Sequence, residues 1–497
     1  DQPLPLVHYP LSAIRYPLHH PMLRRTKIVA TLGPATDAPG VLEDLIRRGA
    51  DVVRVNFSHG EAADHRRRVE GVRRVAAVVG KHVAVLGDLQ GPKIRIERFA
   101  GGRAVLAEGE PFALDPALDP HDGTDRAVGI TYADLARDVR PGDELILGDG
   151  QIELKVSAVE GMRVECVVTT GGEVSDHKGI NRRGGGLSAK ALTDKDREDV
   201  RLAADLDVDY LAVSFVRQAA DVEEARALLA AAGSEARIVA KIERSEAIPR
   251  LEEIIRASDA VMVARGDLGV EVGYAQLTGL QKRILQLARS FDRVTITATQ
   301  MMESMIHSPV PTRAEVSDVA NAVLDGSDAV MLSGESAVGK YPVRAVEAMS
   351  EVIVGAEKYQ IARNIRGERF EGRVSEFAQA IAHAVMYTAN HMAVEAIVAL
   401  TESGATPLWM SRIRSDIPIF AFTRNERTRR RVALYRGVYP IPFDITHTDP
   451  AELYKAISRE LIERKFVRAG DEIILTLGEL SGVSGGTNTM KLLEVGE

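Results

Sequence analysis

From Arg25 onward, short runs that are apolar on both faces alternate with stretches whose apolar positions recur at helical spacing. The runs are Lys27–Leu32, Asp51–Asn56, His82–Leu86, Tyr210–Val213, Ile238–Lys241, Ala260–Ala264, Thr295–Ala298 and Ala329–Leu332. A strand apolar on both faces is covered on both faces, as in a parallel sheet overlaid by helices. Pro39–Arg48 and Asp221–Ala232 read as two such helices, the second aligning Val222, Ala225, Leu228 and Leu229. Eight strand–helix units predict an α/β fold built on a (β/α)8 TIM barrel. An open doubly wound sheet is the other arrangement that fits this alternation.

One interval breaks the rhythm. The stretch between Leu86 and Tyr210 is several times longer than the later strand-to-strand intervals. Within it, the runs from Glu144, Gln151 and Arg163 alternate apolar and polar residues, and turn residues separate them. Residues 91–188 therefore read as a small β lid domain inserted after the third strand, between barrel segments 22–90 and 189–358. Such an insertion sits over the active-site face of a barrel and can close on it. Residues 359–497 read as a separate C-terminal α/β domain, with a helix over 375–390 and strands near 396, 417, 438 and 471. Its Arg427, Arg429, Arg430 and Arg431 read as a solvated helix face, with an effector or subunit contact as the alternative. Residues 1–21 contain five prolines and no basic stretch leading an apolar one, so they read as a disordered leader and not a secretory signal.

Composition narrows the function. Lys+Arg 63 against Asp+Glu 71 gives a net charge of -8, with 45% apolar residues across 497. A nucleic-acid binder needs a net basic face, so that class is set aside. The single cysteine excludes intrachain disulfides and cysteine metal clusters, which fits a reducing, cytoplasmic setting. No apolar run reaches the ~18 residues of a membrane helix.

Barrel enzymes carry their chemistry just past the C-terminal ends of the strands. Here those positions hold Arg54, Asn56, Ser58, Asp88, Lys241, Glu243, Asp267, Thr299 and Ser333. Glu243 and Asp267 offer hard oxygens from adjacent strands, the way Mg²⁺ or Mn²⁺ is held together with substrate oxygens and water. Lys241, two residues before Glu243, points into the same mouth. Arg54 and Arg95 can fork onto phosphate oxygens. Cations and a metal around one spot, with no nucleophilic Cys or Ser–His pair, point to phosphoryl transfer by electrostatic stabilisation. Thr299 and Ser333 are hydroxyls that either relay a proton or cap their strand ends.

The segments Arg25–Thr36, Arg54–His59, Lys241–Arg244, Ala264–Glu271, Thr297–Ser304 and Asp328–Glu335 together closely resemble the pyruvate kinase family, in the same order. The resemblance runs from about Arg25 to the C-terminus and implies transfer from phosphoenolpyruvate to ADP, giving pyruvate and ATP. It implies that Lys241 stabilises the transferring group, that Glu243 and Asp267 bind the divalent metal, and that Arg54 contacts the substrate phosphate. Gly266, Asp267 and Thr299 would hold the substrate carboxylate. Arg95, Lys178, His59 and Asn56 would face the nucleotide, and a homotetramer is expected.

Two departures from the family pattern carry information. Many relatives bind K⁺ through Asn, Ser, Asp and Thr and have Glu in the following loop. Here Asn56, Ser58 and Asp88 are kept, Leu89 replaces the Thr, and Lys93 replaces the Glu. The tethered ammonium then stands in for K⁺, which is not required, with Asn56, Ser58 and Asp88 as hydrogen-bond partners for the ammonium or for bound water; Asp88 would be unpaired if Lys93 pointed away. In the C-terminal domain, Thr401, Ser403, Gly404 and Thr406 follow a strand and open a helix, a geometry that suits a phosphate. This loop is similar to the family's effector loop. The far loop over 478–487 lacks the Trp or Arg that helps grip fructose 1,6-bisphosphate in some relatives, so a sugar or nucleotide monophosphate is the expected activator. A Mg²⁺-dependent barrel lyase or mutase acting on an enolpyruvate, and a catalytically silent metabolite sensor, are the rival readings.

Overall fold

The computed structural model describes residues 23–148, 150–362, 374, 376–445, 452–478 and 486–496. The leader expected over 1–21 and most of the far loop over 478–487 lie outside the described residues. The chain divides into two compact units, one of Thr26–Ser350 and one of Glu351–Glu497 that also takes in Arg25.

In the first unit, β1 (Lys27–Thr31), β2 (Val52–Asn56) and β3 (Ala84–Asp88) precede an inserted domain. That domain holds β4 (Arg103–Leu106), β5 (Pro111–Leu114), β6 (Ala127–Val128), β7 (Glu144–Leu147), β8 (Ile152–Glu160), β9 (Arg163–Thr170), β10 (Gly172–Ser175) and β11 (Ile180–Arg182). The barrel resumes with β12 (Tyr210–Val213), β13 (Arg237–Ile242), β14 (Ala260–Ala264), β15 (Val294–Ala298) and β16 (Ala329–Leu332). Strands β1, β2, β3 and β12 to β16 close in that order into a parallel barrel, with β16 pairing back onto β1. The closed barrel decides against the open sheet. Observed strand ends differ from the expected ones by at most two residues, where terminal turns fray.

The start of the barrel is clamped in pairs. The residue before every second strand is an aspartate whose carboxylate accepts an N–H of the neighbouring strand. Asp51 takes Ile28 N at 2.9 Å, Asp209 takes Val85 N at 2.8 Å, Asp259 takes Ile238 N at 2.9 Å and Asp328 takes Thr295 N at 2.9 Å. These charge-assisted bonds serve N–H groups that the ladder leaves over at the strand starts. The clamped face carries stability, which leaves the opposite face for chemistry.

The inserted domain is a β structure with its own core. Its sheet runs β11-β7-β8-β9-β5-β6, with β10 and β4 paired separately. Phe112, Leu145, Leu154 and Cys166 are buried together in that core. Burial pushes the Cys166 thiol up to about 12, so it stays protonated.

In the second unit, β17 (Ala396–Leu400), β18 (Ile419–Thr423), β19 (Val438–Pro442), β20 (Glu472–Leu477) and β21 (Thr489–Glu494) form one sheet in the order β19-β18-β17-β20-β21. Strand β21 is antiparallel and was not expected from the pattern, because an edge strand alternates weakly. The arginine run is also corrected. Helix Glu426–Val432 buries Arg430 and Arg431, and the Arg429 guanidinium donates to the Thr423 and Arg424 carbonyls. A short helix at a strand end needs donors for free carbonyls, and long arginine stems lie along apolar surface while supplying them. Among the described residues, no helix is long and apolar enough to cross a membrane.

Candidate active site

The C-terminal ends of the barrel strands surround one cavity. Thirteen of the expected residues line it: Arg54, Asn56, Ser58, His59, Asp88, Leu89, Lys93, Arg95, Lys241, Glu243, Asp267, Thr299 and Ser333. Lys241 is nearly buried and its Nζ gathers the polar groups around it. It lies 2.9 Å from Glu243 Oε1 and 3.3 Å from Asp88 Oδ1, and it donates to Ser214 Oγ at 2.6 Å. Ser214 in turn donates to the Leu89 carbonyl at 2.8 Å. Arg54 Nε donates to Asp88 Oδ2 at 2.6 Å, and its Nη1 donates to Thr31 Oγ1 at 3.2 Å.

Burial acts against the charges of Asp88, Lys241 and Glu243, and at the first two the partners outweigh it. Burial would raise the Asp88 carboxyl, but Lys241 and Arg54 hold it below its usual range. Burial would lower the Lys241 ammonium, but Asp88 and Glu243 hold it above. Lys241 is therefore a fixed positive charge. For Glu243 burial wins, with the Asp267 charge adding to it against Lys241, so its carboxyl stands above the usual range. Glu243 Oε2 also accepts Phe215 N at 2.8 Å and pins a residue at φ 56.

Thr299 is presented by a strained turn. Thr299 and Gln300 have φ of 69 and 52, a region costly for residues with a Cβ. Arg265 holds the turn by donating to the Ala298 and Thr299 carbonyls at 3.1 and 2.6 Å. The Thr299 hydroxyl accepts Gly266 N at 2.8 Å and donates to Ala298 O at 2.6 Å. Gly266 itself is beside the cavity but does not line it.

The loop expected to replace K⁺ is placed differently from expectation. Lys93 Nζ pairs with Asp267 Oδ1 at 3.4 Å and not with Asp88. Asp88 is not left unpaired, because Arg54 and Lys241 already face it. Burial explains the choice. Asp88 is wholly buried between its two cations, whereas the Lys93 and Asp267 side chains are both partly exposed. Leu89 is buried in the barrel core, and Asn56 Oδ1 accepts Ser58 N at 3.2 Å.

On the rim, Arg95 Nη1 donates to the His177 carbonyl at 2.8 Å. His59 is held below its ordinary pKa by burial and by Arg95, Arg54 and Lys93, so it is neutral near pH 7. Lys178 belongs to the inserted domain beside Gly148 and does not line the cavity. Thr401, Ser403, Gly404 and Thr406 lie in the second unit. There Gly404 caps helix Ala405–Arg412 at φ 83, Thr401 Oγ1 accepts Gly404 N at 2.9 Å, and buried Thr406 pairs with Thr487 at 2.8 Å. Ser214, one of the polar residues that the sequence places just past β12, lines the cavity with them. Phe215, Met262 and Met331 also line the cavity, and apolar side chains at strand ends carry no sequence signal of a site.

The donor set fits a hard divalent ion. Glu243 and Asp267 both face the cavity and repel one another, a repulsion that a cation between them would relieve. Among the described residues, no group of three or more His, Cys, Asp or Glu could hold a metal, so substrate and water would complete the shell. That division of ligands suits Mg²⁺.

Comparison with known proteins agrees with this site. A family model described as "Pyruvate kinase, barrel domain" matches residues 23–346, and "Pyruvate kinase, alpha/beta domain" matches 379–493. "Pyruvate kinase II" of Salmonella typhimurium is 52% identical over 477 residues, covering 95% of this chain and 99% of that protein. "Pyruvate kinase" of Haemophilus influenzae is 51% identical over 92% of this chain and 96% of its own length. A Mycobacterium tuberculosis "Pyruvate kinase" is 42% identical over 96% of this chain and 99% of its own. With both domains matched in order and a buried lysine set among carboxylates and arginines at the barrel mouth, this chain belongs to the pyruvate kinase family.

Proposed function

We propose that the chain moves the phosphoryl group of phosphoenolpyruvate to ADP, giving pyruvate and ATP, as a K⁺-independent enzyme switched on by a sugar or nucleotide monophosphate. The observation that carries the reaction is the Lys241 ammonium, nearly buried and held charged by Asp88 and Glu243 in the cavity. An ADP β-phosphate oxygen bonds to phosphorus as the bond from phosphorus to the enol oxygen breaks. The enolate then takes one proton at its methylene carbon. Lys241 needs no reorganisation to meet the charge that develops in transfer, which is where preorganised groups act most strongly. Glu243 and Asp267 would hold Mg²⁺ or Mn²⁺, which when bound neutralises charge on the phosphoryl and enol oxygens. Arg54 would grip the substrate phosphate. Gly266, Asp267 and Thr299 would orient the carboxylate end, and Thr299 and Ser333 would relay the proton. Arg95, His59, Asn56 and Lys178 would meet the nucleotide.

K⁺ independence rests on Lys93 lining the cavity and on the apolar Leu89 where a hydroxyl ligand is expected. Its flexible stem can release Asp267 when a metal takes that carboxylate. Activation rests on the 401–406 loop, where Gly404 opens a helix and Ser403 is half-exposed. A homotetramer in the cytoplasm completes the reading, by likeness to the family and by the lone buried cysteine. A coupled assay for ATP from phosphoenolpyruvate and ADP tests the reaction. A lyase or mutase, or a silent sensor, would give no ATP.

A further inference from the structure

Two crossings join the inserted domain to the barrel, and a barrel carboxylate grips a glycine amide at each. On the outward crossing, Gly91 at φ 66 donates its N–H to Asp196 Oδ1 at 3.0 Å. A Cβ there would stand 2.8 Å from Ser214 Cβ and from Phe215 Cδ2. On the return crossing, Gly184, Gly185 and Gly186 have φ of 78, 74 and 95. Gly186 N–H donates to Glu246 Oε1 at 2.6 Å. A Cβ on Gly185 would meet Ser245 Oγ at 2.2 Å and Glu246 Oε2 at 2.4 Å, so the backbone lies directly on the carboxylate.

Arg244 organises the barrel side of this return crossing. It pairs with Glu246 at 3.1 Å and with Glu271 at 3.4 Å, and donates to the Leu187 carbonyl at 3.2 Å. Arg244 and Glu271 are almost wholly buried. Glu271 accepts Ser245 N at 2.7 Å, and its own carbonyl accepts Gly184 N at 3.1 Å. Burial opposes ionisation of Glu246, yet Arg244 and the Gly186 N–H hold its carboxyl below the usual range. The junction is directional, with the Glu246 carboxyl held low and the Glu271 carboxyl raised by burial to about 7. It also lies back to back with the chemistry, because Arg244 follows Glu243 and Glu271 shares helix Arg265–Val272 with Asp267.

We propose that Glu246 and Arg244 are positioning residues that fix the pivot of the inserted domain at Gly184–Leu187 and so set where its cations stand over the barrel mouth. Lys93, Arg95 and Lys178 ride on that domain. Arg54, Lys241, Glu243, Asp267 and Thr299 belong to the barrel. A loosened pivot therefore moves Arg95 and Lys178 on the nucleotide side, while Asn56, His59 and the phosphoenolpyruvate side stay in place. This role rests on the phosphoenolpyruvate–ADP reading.

The test is Glu246→Gln in the full-length protein, read by amide hydrogen exchange and by steady-state kinetics. Loss of a charge-assisted bond should speed exchange over 184–188 about tenfold. The KM for ADP should rise about fivefold, with the KM for phosphoenolpyruvate and Tm little changed, because only the nucleotide side loses its placement. Gly185→Ala forces a methyl onto Ser245 Oγ and the same carboxylate and should reproduce both effects; placed on Glu246→Ala, which removes one of the two obstructing groups, it should add less. Unchanged exchange over 184–188, or equal rises in both KM values, would overturn the proposal. Exchange needs no turnover, so an unmodified protein that makes no ATP would reject the reaction while the pivot is still decided by its own measurement.

Discussion

The Lys93 ammonium stands 3.4 Å from Asp267 Oδ1. It therefore brings a positive charge to the carboxylate proposed to hold the metal, while Arg54 and Lys241 neutralise Asp88. Rates should be equal in sodium, potassium and tetramethylammonium salts at matched ionic strength. The double change Leu89→Thr with Lys93→Glu should make activity depend on K⁺. A rise of about tenfold with K⁺ in the unmodified protein, equal to ~1.4 kcal/mol of barrel-mouth stabilisation supplied by the ion, would reject the substitution of Lys93 for it.

Lys241→Met should lower kcat by ~10³ or more, as loss of a preorganised charge at the transferring group does. The KM for phosphoenolpyruvate should change far less, because Arg54 still anchors the ground state. Breaking a buried ion pair also costs ~3–5 kcal/mol, so Tm should fall, and kinetics belong at a temperature where the variant is folded. Near-normal turnover would remove Lys241 from the chemistry.

For the effector loop, Ser403 is the position to change. Thr406 is buried against Thr487, so a charge there would disturb folding before binding. Ser403→Asp puts a negative charge where an activator phosphate would sit. Activation by monophosphates should disappear, and activity at saturating substrate should persist. If activation survives, effectors bind elsewhere.

Asp259 supports a prediction about acid. Burial opposes its ionisation, but Arg226, Arg237 and the Ile238 N–H lower its carboxyl below the ordinary 3.8. A lowered folded value means that the unfolded chain takes the proton first. The contribution is complete above 3.8 and is lost as pH falls through the folded value. Asp259→Asn should thus lower the denaturation midpoint at pH 7 and make little difference at strongly acidic pH. The loss at neutral pH should be ~1–3 kcal/mol, the cost of a weakened buried bond and two less well paired arginines. An equal loss at both pH values would show that shape and not charge matters at this clamp.

The chain's own pattern determined the barrel, the insertion and most of the cavity, because strands buried on both faces announce themselves and polar residues just past them stand out. Lys241, Glu243, Asp267 and Thr299 were legible in this way. The aspartates before alternate strands were equally visible, as Asp51, Asp209, Asp259 and Asp328, but their shared role needs the neighbouring strand in place. Tertiary structure alone decided which charge meets which. Lys93 and Asp267 are far apart in sequence, and the choice of Asp267 over Asp88 depends on burial and on the competing Arg54 and Lys241. The burial of Arg430 and Arg431 follows the same rule: a charged run shows its composition in sequence, but its solvation is set by whatever packs against it. The Gly184–Gly186 crossing likewise reads as a loose loop until Glu246 and Arg244 are brought under it. Local patterns record which face of an element is buried, and pairings between distant charges are fixed only when the fold sets their distance and dielectric.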